Sequence, residues 1–241
     1  MEKLSAKIYE YLKELGKLTP LAFVTAVLPM IGSATLFIVG IPLGYWLREN
    51  WEIGMPLYLL GVLFFCGLAL LPTNVIGVIG GWAFSFEPGI AVLITGVVGA
   101  AVISYFIHRR IVGERLQEVF EKHPKAQAVY EALLEENKWR TTLIVFLLRA
   151  SVIMPFALTN FLMASARVPL GSYIAGTFFG MLPRSSAVVL VGAGLSELTL
   201  ENTQDSLMLI GGIIATIIAV IIIGSISSRA LDRLTRKDQA A

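Results

Sequence analysis

The chain has 241 residues, 56% of them hydrophobic and 15% charged, with a formal net charge of +2. A soluble domain of this size carries roughly 25% charged residues, so a mean hydropathy of +0.77 places the chain in a membrane. Its one cysteine, Cys66, excludes a disulfide within the chain and a cysteine-based zinc site.

Residues 1–20 open the chain. Leu4, Ile8, Tyr11, Leu12 and Leu15 fall at helical spacing among lysines and glutamates. The pattern predicts an amphipathic helix on the membrane surface, ended by Pro20. Lys3, Lys7, Lys13 and Lys17 leave no apolar core there, so no cleavable signal peptide is expected. Residues 21–241 read as one membrane domain. Residues 21–47 are long enough to cross a bilayer of about 30 Å, with Pro29, Gly32, Gly40 and Pro42 making that helix irregular. A polar link, Arg48 to Glu52, follows between Trp46 and Trp51.

Residues 54–86 are too long for one span. Breaks expected at Leu71-Pro72-Thr73-Asn74 and at Gly80-Gly81 predict a re-entrant hairpin. A turn at Phe86-Glu87-Pro88-Gly89 leads to a span over 89–107, whose small residues favour close helix packing. Residues 108–141 hold seven Lys/Arg: Arg109, Arg110, Arg115, Lys122, Lys125, Lys138 and Arg140. They read as two short amphipathic surface helices separated by Pro124. His108 and His123 lie in this segment without metal-ligand spacing. Residues 142–165 form a second expected hairpin, broken near Pro155. Residues 170–195 are a span interrupted by Pro183. Residues 206–228 are a final span with a basic tail, Arg229, Arg233, Arg236 and Lys237.

Charge fixes the expected orientation. The N-terminus, the 108–141 segment and the C-terminus are basic and should be cytoplasmic. The 48–53 and 196–205 links are acidic or nearly so, with Arg48 their one basic residue, and should face outward. Both conditions hold only if 54–86 and 142–165 do not cross. The halves also share an order: a broken hairpin, a proline–glycine turn, a glycine-rich span. The expected fold is therefore an all-α integral membrane protein, with two opposed re-entrant helical hairpins in an inverted repeat and amphipathic surface helices.

Arg149 and Arg184 lie inside apolar stretches, each near a proline. A charge in hydrocarbon costs at least a few kcal/mol. Arg149 has two readings: a bidentate contact to a phosphate, or a donor to carbonyls freed at the Pro155 break. Arg184 is a second phosphate contact or a pin for the Pro183 break. Asn160, Asn74 and Thr73 near the hairpin tips line a cavity or satisfy backbone groups. Tyr173 and Tyr105 line the path or pack. Glu87 is the candidate proton site, or a solvated turn carboxylate. The expected breaks are Pro72, Gly80, Gly81, Pro155 and Pro183.

The run PTNVIGVIGGWAFSFEPGIAVLITGVVGAAVISYFIHRR resembles the first block of the DedA/SNARE-associated Golgi protein (VTT-domain) superfamily. The run LLRASVIMPFALTNFLMASARVPLGSYIAGTFFGMLPRSS resembles its second block. There Arg149, Pro155, Asn160, Tyr173, Thr177, Gly180 and Pro183 fall where the family pattern expects them. Together the blocks cover residues 55–195. The resemblance implies facing re-entrant hairpins and the movement of phospholipid or undecaprenyl phosphate across the membrane, in part driven by protons. DedA-type members carry acids at the first hairpin; here Leu71-Pro72-Thr73-Asn74 has none. The chain therefore resembles the SNARE-associated Golgi protein branch more than DedA proper.

The expected function is a lipid transporter or scramblase. The alternatives are an ion- or proton-coupled carrier of a small anionic solute and a membrane-assembly scaffold. An enzyme is not expected, because no His or Asp falls in the predicted core. Membrane lipids are the expected partners; no cofactor, metal or nucleic acid is, and a homodimer stays open. Short loops and the lack of a targeting signal point to a prokaryotic plasma membrane, with both termini cytoplasmic.

Overall fold

The computed structural model describes residues 39–40, 42–111, 137–151, 156–197 and 203–238. The expected N-terminal amphipathic helix, most of the first span, the two surface helices and Pro155 lie outside the described residues.

A helical stretch over 42–49 leads into α1, Trp51–Gly61, which winds into a π-turn at Val62–Cys66. The chain then breaks. Ala69 takes a left-handed conformation with φ 59°, and the Leu70 N–H returns to the Phe65 carbonyl at 2.7 Å. This left-handed closure uses up one orphan carbonyl of the helix end. Pro72 is extended, and α2 starts beside it and runs Thr73–Phe84. Ser85, at φ 63°, turns the chain into α3, Phe86–Ile111.

The second half repeats this order. α4, Lys138–Ala150, is capped by Asn137, whose side chain accepts from the backbone N–H of Trp139 at 3.1 Å and Arg140 at 3.4 Å. A break at Ser151 precedes α5, Phe156–Ser165. Arg167, at φ 50°, then turns the chain into α6, Leu170–Glu197. The last helix, α7, spans Thr203–Asp238. Among the described residues every element is helical. The segments Phe86–Arg110 and Leu170–Ser196 are long and apolar enough to cross a membrane. Ile217, Ile218, Ile221 and Ile222 of α7 are exposed, as lipid-facing side chains are.

Three sequence expectations are corrected. α2 runs unbroken through Gly80-Gly81. Those glycines serve contact: Gly81 lies against the backbone of α6, and Gly80 against the Tyr58 ring. The turn before α3 is Ser85, so Phe86-Glu87-Pro88-Gly89 is already helical. α6 is likewise helical through Pro183. Proline forfeits one backbone bond, which a long packed helix tolerates.

α6 is the hub, packed most extensively on α2 and α4 and also on α3 and α7. Its glycines set the distances. A Cβ on Gly176 would meet Val145 of α4 at 2.6 Å, and one on Gly180 would meet the Arg149 Cβ at 2.6 Å. Gly96 of α3 meets Val62 of the π-turn in the same way, at 2.8 Å from its Cβ.

Candidate functional site

Thr141, Val145, Leu148 and Arg149 are buried on the face α4 turns inward. With no side chain at Gly180, the Arg149 backbone sits directly on α6 and the guanidinium reaches between α5 and α6. Only 2% of this residue is exposed.

A guanidinium has five N–H donors, and each has an acceptor. Nε donates to Thr177 Oγ1 at 3.2 Å. Nη1 donates to Thr159 Oγ1 at 2.7 Å and to the Phe156 carbonyl at 3.4 Å. Nη2 donates to Asn160 Oδ1 and to the Tyr173 hydroxyl at 3.1 Å. The cation also lies 4.7 Å from the Phe156 ring centroid and 5.5 Å from that of Tyr173. Every partner is neutral. Charge-assisted hydrogen bonds contribute about 1.5–3 kcal/mol each, which offsets the desolvation of the cation. One of its acceptors, the Phe156 carbonyl, stands at the start of α5, on the far side of the second break from α4.

Tyr173 carries the tie onward. Its hydroxyl lies 2.9 Å from both the Ala101 carbonyl of α3 and Asn160 Oδ1. Tyr105 of α3 stacks on it at 5.1 Å and donates to the Val168 carbonyl at 2.9 Å. Asn160 is fully buried, and its Nδ2 has no acceptor among the described residues. Its Oδ1 receives both Arg149 and Tyr173, which fixes the amide orientation.

One turn beyond Gly180, on the same face of α6, stands Arg184. It is half-buried, and its Nε donates to Asn74 Oδ1 at 3.0 Å. Asn74 lies in the first turn of α2, beside Pro72 and the buried Thr73. Among the described residues no carboxylate pairs with Arg149 or Arg184.

The structure thus divides the predicted residues into two centres. Arg149, Asn160 and Tyr173 share one. Arg184 and Asn74 share the other, between the halves, and Thr73 is the buried residue that precedes Asn74. Glu87 joins neither; it is exposed in the first turn of α3. Tyr105 packs and braces. His108 contacts the Ser104 carbonyl at 2.7 Å through Nδ1, and its ring edges onto Phe161 at 5.5 Å. The roles of Thr159 and the Phe156 carbonyl were missed, and Thr177 was seen only as part of a family pattern. Tyr173, Thr177, Gly180 and Arg184 recur at i, i+4, i+7 and i+11, a helical stripe of polar and small residues that marks this face.

Two helices long and apolar enough to span a bilayer, and an apolar core that holds arginines with neutral partners, fit a helical membrane protein. Residues 71–194 match the VTT domain, and the chain belongs to that family, the DedA/SNARE-associated Golgi protein family. Neither the curated proteins nor the solved structures yield a match.

Proposed function

We propose that this chain moves phospholipid or polyprenyl-phosphate head groups across a bilayer, through a crevice between two re-entrant hairpins arranged as an inverted repeat. The observation that carries the proposal is the pair of arginines, Arg149 packed against the central helix α6 and Arg184 on it, with neutral partners only among the described residues. Uncompensated cations at membrane depth are costly and accompany a function. They lower the barrier for a phosphate, which bare hydrocarbon would reject. Arg149 contributes its charge to the crevice, while protein acceptors occupy its donors.

Two features support the repeat. Gly96 receives Val62, and Gly176 receives Val145, so each long helix accepts its own broken helix in one manner. The halves also exchange partners: α2 packs on α6, and α5 packs on α3. The uncharged tip Pro72-Thr73-Asn74 favours the SNARE-associated Golgi protein branch and a path independent of a proton gradient. Glu87 is the residue offered for coupling should a gradient prove necessary. The chain acts without covalent chemistry, in a plasma membrane, with both termini cytoplasmic.

The test is reconstitution in phosphatidylcholine vesicles holding either a fluorescent phospholipid or a polyprenyl phosphate, with and without a pH gradient. Flip of either lipid above empty vesicles is the expected result. Well-folded protein that flips neither returns the weight to a soluble-anion carrier or a scaffold.

A further inference from the structure

Arg184 differs from Arg149 in what remains unused. Its Nε is bound to Asn74 Oδ1 at 3.0 Å, and no other partner is present among the described residues. Among those residues neither Nη nitrogen has an acceptor, and neither has Asn74 Nδ2, because the amide oxygen is the atom engaged. The pair is thus rich in unused donors. It is only partly buried, whereas the Arg149 cluster is sealed. It also stands at mid-span: Arg184 is the fifteenth residue of the 27-residue segment Leu170–Ser196, about 20 Å along the helix from either end.

We infer that Arg184 and Asn74 form the seat for a phosphate group, and that Arg149 is a positioning residue holding α4, α5 and α6 around it. This inference rests on the lipid-transport reading and assigns the contact atoms within it. A phosphate is an acceptor-only anion and matches a planar fork of donors beside an amide N–H. Asn74 comes from the first half and Arg184 from the second, so the seat forms only where the halves meet. Its ligand is a phosphate ester carried by a lipid; free inorganic phosphate has the same chemistry, and the experiment separates the two.

The experiment compares wild type, Arg184→Gln, Arg184→Lys, Asn74→Ala and Arg149→Gln in phosphatidylcholine vesicles doped with fluorescent phosphatidylglycerol. Melting in detergent is measured alongside, with and without a short-chain phosphatidic acid or inorganic phosphate. Arg184→Gln should slow flip by about tenfold or more, the loss of one charge-assisted contact, with an unchanged melting temperature. Arg184→Lys should fall between, keeping charge without the fork. Arg149→Gln should lower the melting temperature itself. Short-chain phosphatidic acid should raise the melting temperature of wild type and leave Arg184→Gln unmoved.

Wild-type flip rates in folded Arg184→Gln overturn the seat while leaving lipid transport standing. Should Arg184→Gln not fold, undiminished flip by Arg184→Lys and Asn74→Ala overturns it equally. No flip by wild type overturns the transport reading instead; the seat then stands or falls on the melting shift. A shift with inorganic phosphate alone overturns the lipid assignment.

Discussion

Gly81 of α2 and Gly192 of α6 are each other's clearance. A Cβ on Gly81 would lie 2.0 Å from the Val189 carbonyl oxygen, and one on Gly192 would lie 2.0 Å from that of Val78. The obstacle is backbone in both directions, so no side chain can swing aside. The two helices touch there because neither has a side chain in the way.

Gly81→Ala and Gly192→Ala should each destabilise the protein by at least about 2 kcal/mol, the scale of an overpacked interior. Gly171→Ala is the matched control, with nothing within 4 Å of its Cβ. Melting in detergent reads the difference. Equal melting temperatures for all three would show that α2 and α6 do not meet this closely.

Removing Arg149 takes a donor from five acceptors, of which the Phe156 carbonyl and Asn160 Oδ1 keep another. Arg149→Ala should cost at least about 3 kcal/mol, since several buried polar groups lose a partner at about 1–3 kcal/mol each. Arg149→Lys should recover little, since an ammonium has three donors and no planar fork. Full recovery of the melting temperature by lysine would mean that charge alone is needed.

The two tyrosine hydroxyls should differ. Tyr173→Phe removes contacts to Arg149, Asn160 and the Ala101 carbonyl, whereas Tyr105→Phe frees the Val168 carbonyl alone. A cost of about 1–3 kcal/mol per buried group left unsatisfied predicts the larger loss for Tyr173→Phe. A reversed order in the same melting experiment would put the brace, rather than the arginine shell, at the centre of stability.

Re-entry has its own test. Cys66 is buried, so the native chain should resist maleimide until unfolded. Single cysteines at exposed Trp51 and Glu87 should then react from one side of the membrane, and those at exposed Trp139 and Arg167 from the other. Each pair brackets one broken helix. Labelling of Trp139 and Arg167 positions from opposite sides would show that α4 and α5 together cross.

Much of this was legible in the chain. Apolar length and small-residue spacing located α3 and α6, and Pro72 marked a real break. Arg149 with Asn160 and Tyr173, and Arg184 with Asn74, were picked as polar residues in apolar surroundings. What composition could not show is which glycines are bends and which are clearances. Gly80-Gly81 was read as a break, yet its meaning lies in Tyr58 and Val189, which only the packed neighbours supply. Pro183 was read as an interruption because the sequence does not reveal how much packing a helix has to absorb one lost bond. Likewise, a lone arginine looks the same whether its donors are occupied or open.

Along α6, three of the contacts between the halves follow in order. Tyr173 ties to Ala101, Arg184 meets Asn74 about 16 Å further on, and Gly192 presses on α2 about 12 Å beyond that. The seam is fastened at each end and charged at its waist. If the transport reading proposed above holds, this charged waist, and not either fastened end, is where a molecule already lying in the bilayer would bring its head in from the side, leaving its tails in their own solvent.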